Sequence, residues 1–267
     1  MKGGKLTLLV VQCAILVFAG PLLALVVQAI SLRWPFPSLL PTVVSVRHIV
    51  RLLWDNPRLA EAVASSLGIA TMTTIFTLLL AFPAAKALGV YNFPGKETIK
   101  LLALLPIMVP TATVTMGLHT GMLRMGLAGS FLGVAIVHTV FALPYALRIL
   151  MHVFELVGER HEQQAAMLGA PWGRVFYSIT LPLVMPGALS AATMSFIISF
   201  SQYITTFMIG GGRIITLPLY LVPHVQGGEW HVASVYSLVF VVATLAALTL
   251  MQYLVRRYYR ETYFLSP

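Results

Sequence analysis

The chain has 267 residues, 58% hydrophobic and 9% charged, with a formal net charge of +9 and a single cysteine. A soluble domain carries roughly 25% charged residues, so the composition excludes a water-covered globule and points to an all-α, polytopic membrane protein. The basic residues are scattered over the ends of apolar runs, which excludes a nucleic-acid-binding stripe, and the lone thiol of Cys13 excludes an intramolecular disulfide or a cysteine-based metal cluster.

Six apolar runs are long enough to span a bilayer, at about 6–30, 63–88, 101–123, 130–154, 185–209 and 232–255. They predict six transmembrane helices in a single membrane domain over residues 1–267. Lys2 and Lys5 precede the first run, which is too long for a signal peptide and reads as a retained helix. The loop after it holds "SVRHIVRLLWDNPRLAEAV", whose spacing suits either a short amphipathic helix on the outer surface or a packed connector. Pro21, Pro83, Pro110 and Pro144 are expected kinks. No strand pattern and no internal repeat is evident.

The segment between the fourth and fifth runs, 155–184, is unlike the rest. "GERHEQQAAML" is rich in helix formers, and Gly169 stands where a left-handed helix cap belongs, with positive φ expected. Pro171 suits the first turn of a second helix, "PWGRVFYSI", which Pro182 and Pro186 would end. Two short helices with a sharp turn are therefore expected. Ala165, Ala166, Met167, Trp172 and Phe176 would either plug a groove on a soluble partner or pack on the membrane helices.

On the fifth run Ser195, Ser199, Gln202 and Thr206 fall on one helical face, with Tyr203 beside them. A polar face in lipid must meet protein or water. It lines a translocation path, or it is helix–helix packing by small hydroxyl residues. Thr115 and His119 share a face of the third run, and His138 on the fourth reads as a hydrogen-bonded packing residue. No span core contains a carboxylate.

Orientation follows from the cations. Eleven (Lys2, Lys5, Lys86, Lys96, Lys100, Arg148, Arg160, Arg174, Arg256, Arg257, Arg260) fall on one side and six (Arg33, Arg47, Arg51, Arg58, Arg124, Arg213) on the other. The richer side is expected to be cytoplasmic, with both termini on it. "GGK" at 3–5 lacks the spacing of a phosphate-binding loop, so the chain is not expected to hydrolyse ATP. Paired carboxylates, metal-spaced histidines and a nucleophile motif are lacking within the spans, so neither an enzyme nor a metal site is expected. A stand-alone secondary transporter or channel is the competing class. The lack of intramembrane acids counts against its ion coupling.

The spacing Gly169, nine residues, Ile179, one residue, Leu181, Pro182 resembles the EAA loop of ABC-importer permeases, E-A-A, three residues, Gly, nine residues, I-x-L-P. The opening departs from the pattern: Gln163 and Gln164 stand where Glu and Ala are usual, and Glu162 is one residue early. "ASSLGIATMTTIFTLLLAFPAAKAL", "LLPIMVPTATVTMGL" and "VHTVFALPYALRIL" resemble the second, third and fourth spans of the same family. "SFIISFSQYITTFMIGGGRIITLPLYL" is most similar to its polyamine, thiamine, iron and phosphonate group.

The resemblance implies a permease subunit in the bacterial inner membrane, paired with an identical or different permease. Two cytoplasmic ATPase subunits would carry the ATP and magnesium, leaving no cofactor in this chain, and an external binding protein would deliver the solute. A polyamine such as spermidine or putrescine is expected, with thiamine, iron or phosphonate as alternatives. Gln163, Gln164, Ala165, Ala166, Gly169, Ala170, Trp172 and Arg174 would form the contact with the ATPase. Ser195, Ser199, Gln202, Tyr203, Thr206, Thr115 and His119 would line the path.

Overall fold

The computed structural model describes residues 11, 17, 19–34, 37–38 and 40–263. Cys13, Lys2, Lys5 and the start of the first run lie outside the described residues. Among the described residues, Pro57–Val90, Phe131–Val157, Trp172–Phe200 and Trp230–Tyr253 are long and apolar enough to cross a membrane. Lys96–Met108 and Thr111–Arg124 make a fifth crossing if the bent pair is taken as one, and Ala19–Ile30 (α1) is a shorter apolar helix.

The chain divides into two compact units. One comprises 1–63 and 217–243. In it α1 runs into strand β1 (Ser31–Arg33), which pairs antiparallel with β2 (Val43–Val44). A ladder this short carries no alternating signal, which is why the sequence does not announce it. Helix α2 (Val46–Trp54) is amphipathic, with Val46, Val50, Leu53 and Trp54 exposed and His48, Ile49 and Leu52 turned inward. Helix α12 (Leu217–Gln226) and the start of α13 (Trp230–Tyr263) complete the unit. The Asn56 amide donates to the hydroxyls of Tyr220 (2.5 Å) and Tyr236 (3.1 Å).

The second unit comprises 64–216 and 244–267. Its centre is α3 (Pro57–Val90), which enters from the first unit, with α7 (Phe131–Val157) and α10 (Leu181–Phe200). Ala81, Ala85 and Leu88 of α3 bury against Leu147, Leu150 and Phe154 of α7 and Val184 and Ala191 of α10. Small residues bring the backbones together, the usual route to helix association in lipid. A Cβ on Gly187 would stand 2.5 Å from Val153 Cγ2, and one on Gly89 would stand 2.9 Å from the Met151 carbonyl oxygen.

Two expectations for the apolar runs change. The third is not one helix. Helices α4 (Lys96–Ala103) and α5 (Leu105–Met108) meet α6 (Thr111–Arg124) at a bend of 103°. Pro110 forces Val109 into extended backbone (φ −96°, ψ 139°), because proline disfavours a helical residue before it. The fifth run is longer at one end and interrupted at the other. Helix α9 (Trp172–Val175) continues through a π-helical turn, Phe176–Thr180, directly into α10, so Pro182 and Pro186 end nothing. The widened turn lies over the residues that the Pro182 ring would crowd in a regular helix. After Phe200 the helix breaks at 201–203 and restarts as α11 (Ile204–Gly210).

Candidate functional site

The segment between α7 and α10 folds as a helical hairpin. Helix α8 (Arg160–Met167) ends at Gly169, whose φ is +80°. Ala170 N–H donates to the Ala165 carbonyl (3.1 Å) and Gly169 N–H to that of Ala166 (2.9 Å). These are the two bonds of a Schellman cap, which needs a left-handed residue at this position. The expected turn at Gly169 is therefore present. Pro171 sits one position earlier than expected, as the cap of α9 rather than in its first turn, with ψ 149°.

The hairpin's apolar residues face outward. Met167, Leu168 and Trp172 are 80%, 88% and 77% exposed, and Gln163, Gln164, Ala166, Gly169 and Arg174 are exposed with them. Ala165 and Ala170 are partly buried. Glu159, Glu162, Gln163, Ala166, Ala170, Trp172 and Val175 line a groove of about 280 Å³. All eight residues expected at a partner contact lie in this hairpin.

Its base is anchored by aromatics and by one carboxylate. Trp172 stacks on Phe176 (5.6 Å), Phe176 meets Phe82 of α3 edge-on (5.8 Å), and Phe82 meets Phe154 of α7 edge-on (5.2 Å). Glu162 takes Lys86 Nζ on both oxygens (2.7 and 3.0 Å) and the Thr180 hydroxyl on one (2.5 Å). Sequence reasoning set Glu162 aside as out of register. The available signal was Lys86, a cation at the end of a span with no acid near it in sequence. Beside this site Tyr91 is held above its ordinary pKa by burial, which Lys86 opposes and the Glu159 and Glu162 carboxylates reinforce.

The fifth-span stripe, with Thr115 of α6, is arranged the other way. Ser195, Ser199, Thr206 and Thr115 are buried at 0–4% exposure. Ser195 is bonded to the Ala191 carbonyl (2.7 Å) and Thr115 to that of Thr111 (2.7 Å). His138 lies between Ser199 (Nδ1, 2.9 Å) and Thr206 (Nε2, 3.1 Å), so it bridges the break between α10 and α11. The Ser199 hydroxyl donates to Thr73 (3.1 Å) and the Thr206 hydroxyl to the Gln202 carbonyl (3.0 Å), so each has a partner besides the ring. These four residues, three of the stripe and Thr115 of α6, are buried within the subunit, where partners on α3, on α7 and within their own helices satisfy them. Gln202, Tyr203 and His119 remain partly exposed. Outward-facing polar residues of the same segment are Ser190 of α10 and Ser201 in the break after it, with Thr193 partly exposed between them. His138 is the hydrogen-bonded packing residue expected.

The profile of binding-protein-dependent transport system inner membrane components matches residues 2–260. The chain belongs to that family. It is an inner-membrane, multi-pass permease subunit of an ABC importer, a transporter component rather than an enzyme, and membership implies an ATPase and a binding protein as partners. The permease is 30% identical to the molybdenum transport system permease ModB of Haemophilus influenzae over 215 residues, 74% of this chain and 93% of that one. It is 27% identical to the osmoprotective compounds uptake permease GgtD of Synechocystis sp. (74% and 68% of the two chains). The spermidine/putrescine permease PotC of H. influenzae is 25% identical (77% and 80%). The permease also shares its fold, at a TM-score of 0.72 and 15% identity over 96% of both chains, with a bacterial ABC transporter involved in importing the acidic polysaccharide alginate.

Proposed function

We propose that the permease forms half of the translocation pathway, beside a second permease chain, and that the 160–175 hairpin docks in a cleft of the cytoplasmic ATPase, on the same side as both termini. The observation that carries this reading is the exposure of Met167, Leu168 and Trp172 on a hairpin whose turn is rigidly capped. Apolar side chains held out from a fixed turn are what a partner's groove buries. Cysteines placed along 159–178 should crosslink to the ATPase, while cysteines along 89–100 should not. The reverse result would move the docking site.

The cargo in this reading is a small polar solute. A polyamine is one candidate, supported by the likeness to PotC. A molybdenum oxyanion is the second, supported by the likeness to ModB and by a structural observation. Among the described residues, the apolar helices hold acids only near their ends, at Glu61, Glu97, Glu155 and Glu261. A polycation would find no counter-charge along them, whereas an anion would meet none of its own sign. That distribution favours the oxyanion. Calorimetric titration of the cognate binding protein with molybdate and with spermidine decides between them.

A further inference from the structure

We propose that Glu162 is the positioning residue that passes displacement of the hairpin into the membrane helices, by holding α3 through Lys86 and the head of α10 through Thr180 at the same time. The inference rests on the docking reading above.

The argument begins with the backbone. Helix α8 is joined to α7 through Gly158 (φ +62°) and to α9 through Gly169 (φ +80°). The Gly169 joint is fixed by its two cap bonds, whereas Gly158 has only its own N–H bonded back to Phe154 (2.9 Å). Through the backbone alone, a push on α8 reaches α10 by way of the capped turn and α9, and does not reach α3. A side-chain link is needed for α8 to move α3 together with α10.

Glu162 supplies that link. Gln163 and Gln164 beside it point outward, and the Gln163 amide reaches only to Glu159 (3.1 Å). The Glu162 carboxylate turns inward, with Lys86 and Glu162 side chains 23% and 21% exposed. Its three charge-assisted bonds end on two different elements, Lys86 near the end of α3 and Thr180 in the π-helical turn. One turn beyond Lys86, Gly89 brings α3 against the α7 backbone. A load on α8 is therefore shared by α3 and α10 directly and by α7 through that contact. Bonds with one charged partner are stronger and shorter than neutral ones, which suits a link under load.

The test uses the whole reconstituted importer, with ATPase and transport measured side by side. Glu162→Gln and Lys86→Met should each lower transport by about tenfold, the scale of one charged hydrogen bond, while ATP hydrolysis stays near wild type. The exchange Lys86→Glu with Glu162→Lys should restore transport, and Thr180→Val should cost less than either single change. A Leu168→Cys crosslink to the ATPase should persist in Glu162→Gln, because docking needs only the outer face. Wild-type transport in Glu162→Gln would overturn the inference. So would an exchange that fails to rescue, or loss of hydrolysis and crosslink together, which would make Glu162 a folding residue. Absence of the crosslink in the unmutated background would instead overturn the docking reading.

Discussion

The hairpin at 160–175 and the stripe at 195–206 are inversions of each other. The hairpin turns apolar side chains outward and a carboxylate inward. The stripe turns hydroxyls inward and leaves Ile197, Ile204 and Phe207 exposed. In both, the inward-turned polar group joins helices distant in sequence: Glu162 meets Lys86, and His138 with Ser199 meets Thr73. The lesson is that polarity along this chain does not mark the wet face. Where lipid is the solvent, hydroxyls gain more from a protein partner than from an open surface. Where water and a partner are present, a rigid apolar tip can be left exposed until it is covered.

The sharpest way to break the comparison is His138→Leu. It removes both ring nitrogens that meet Ser199 and Thr206 inside a dry core, while both hydroxyls keep one partner each. Leaving such groups under-bonded costs about 1–3 kcal/mol, read as a lower unfolding temperature of the purified permease. His138→Asn, which keeps a polar group near Nδ1, should recover part of the loss. An unchanged unfolding temperature would mean that the stripe is not a structural network.

Gly169→Val comes next and acts on the other region. Nothing lies within 4 Å of a Cβ there, so the effect is purely conformational. A side chain at φ +80° costs about 1–2 kcal/mol, and β-branching adds to it. The turn should re-aim α9, giving a complex that assembles weakly or hydrolyses ATP without transport. Normal coupling would show that the cap does not set the hairpin's direction.

The outcome for these two residues reflects what was legible. Gly169 could be read because a left-handed cap is a local demand, and the proline two residues on marked a new helix. Ser195, Ser199 and Thr206 could be placed on one face, but not on one side. Their partners come from other helices, and His138 is 61 residues from Ser199. Glu162 was passed over for the same reason, since its partner Lys86 lies 76 residues away. Pro110 was legible as a kink but not as a bend of 103°, which depends on what packs around it. Pro182 read as a stop because the local rule is strict, and only a π-helical turn relaxes it.

Gln202→Leu tests the edge between the regions. Gln202 sits in the break after α10, partly exposed, and its side-chain oxygen accepts from Thr205 (3.1 Å). Thr205 also lies 3.4 Å from Thr115, so a partner is at hand when the glutamine is lost. Assembly and unfolding temperature should therefore hold, while transport falls several-fold if the exposed part of the residue meets the solute. Equal transport would assign Gln202 to packing with its neighbours.

The smallest effect is expected for Gln163→Glu, which restores the residue usual in the family at that position. Gln163 is exposed and donates to the Glu159 carboxylate one turn before it. A glutamate there would lose that bond and set two carboxylates at i and i+4, which costs an isolated helix about 0.2–0.5 kcal/mol and is screened by salt. Against this, a basic residue on the ATPase would gain a partly exposed ion pair, worth ~0–1 kcal/mol. The two nearly cancel, so transport and ATP hydrolysis should stay near wild type, with a slight loss at low salt that fades as salt rises. The reason for tolerance is geometric: position 163 looks outward, and the inward carboxylate is already supplied by Glu162. A large loss in Gln163→Glu, insensitive to salt, would show that the groove around Gln163 meets an acidic or tightly fitted surface, and that its neutral amide is required for docking.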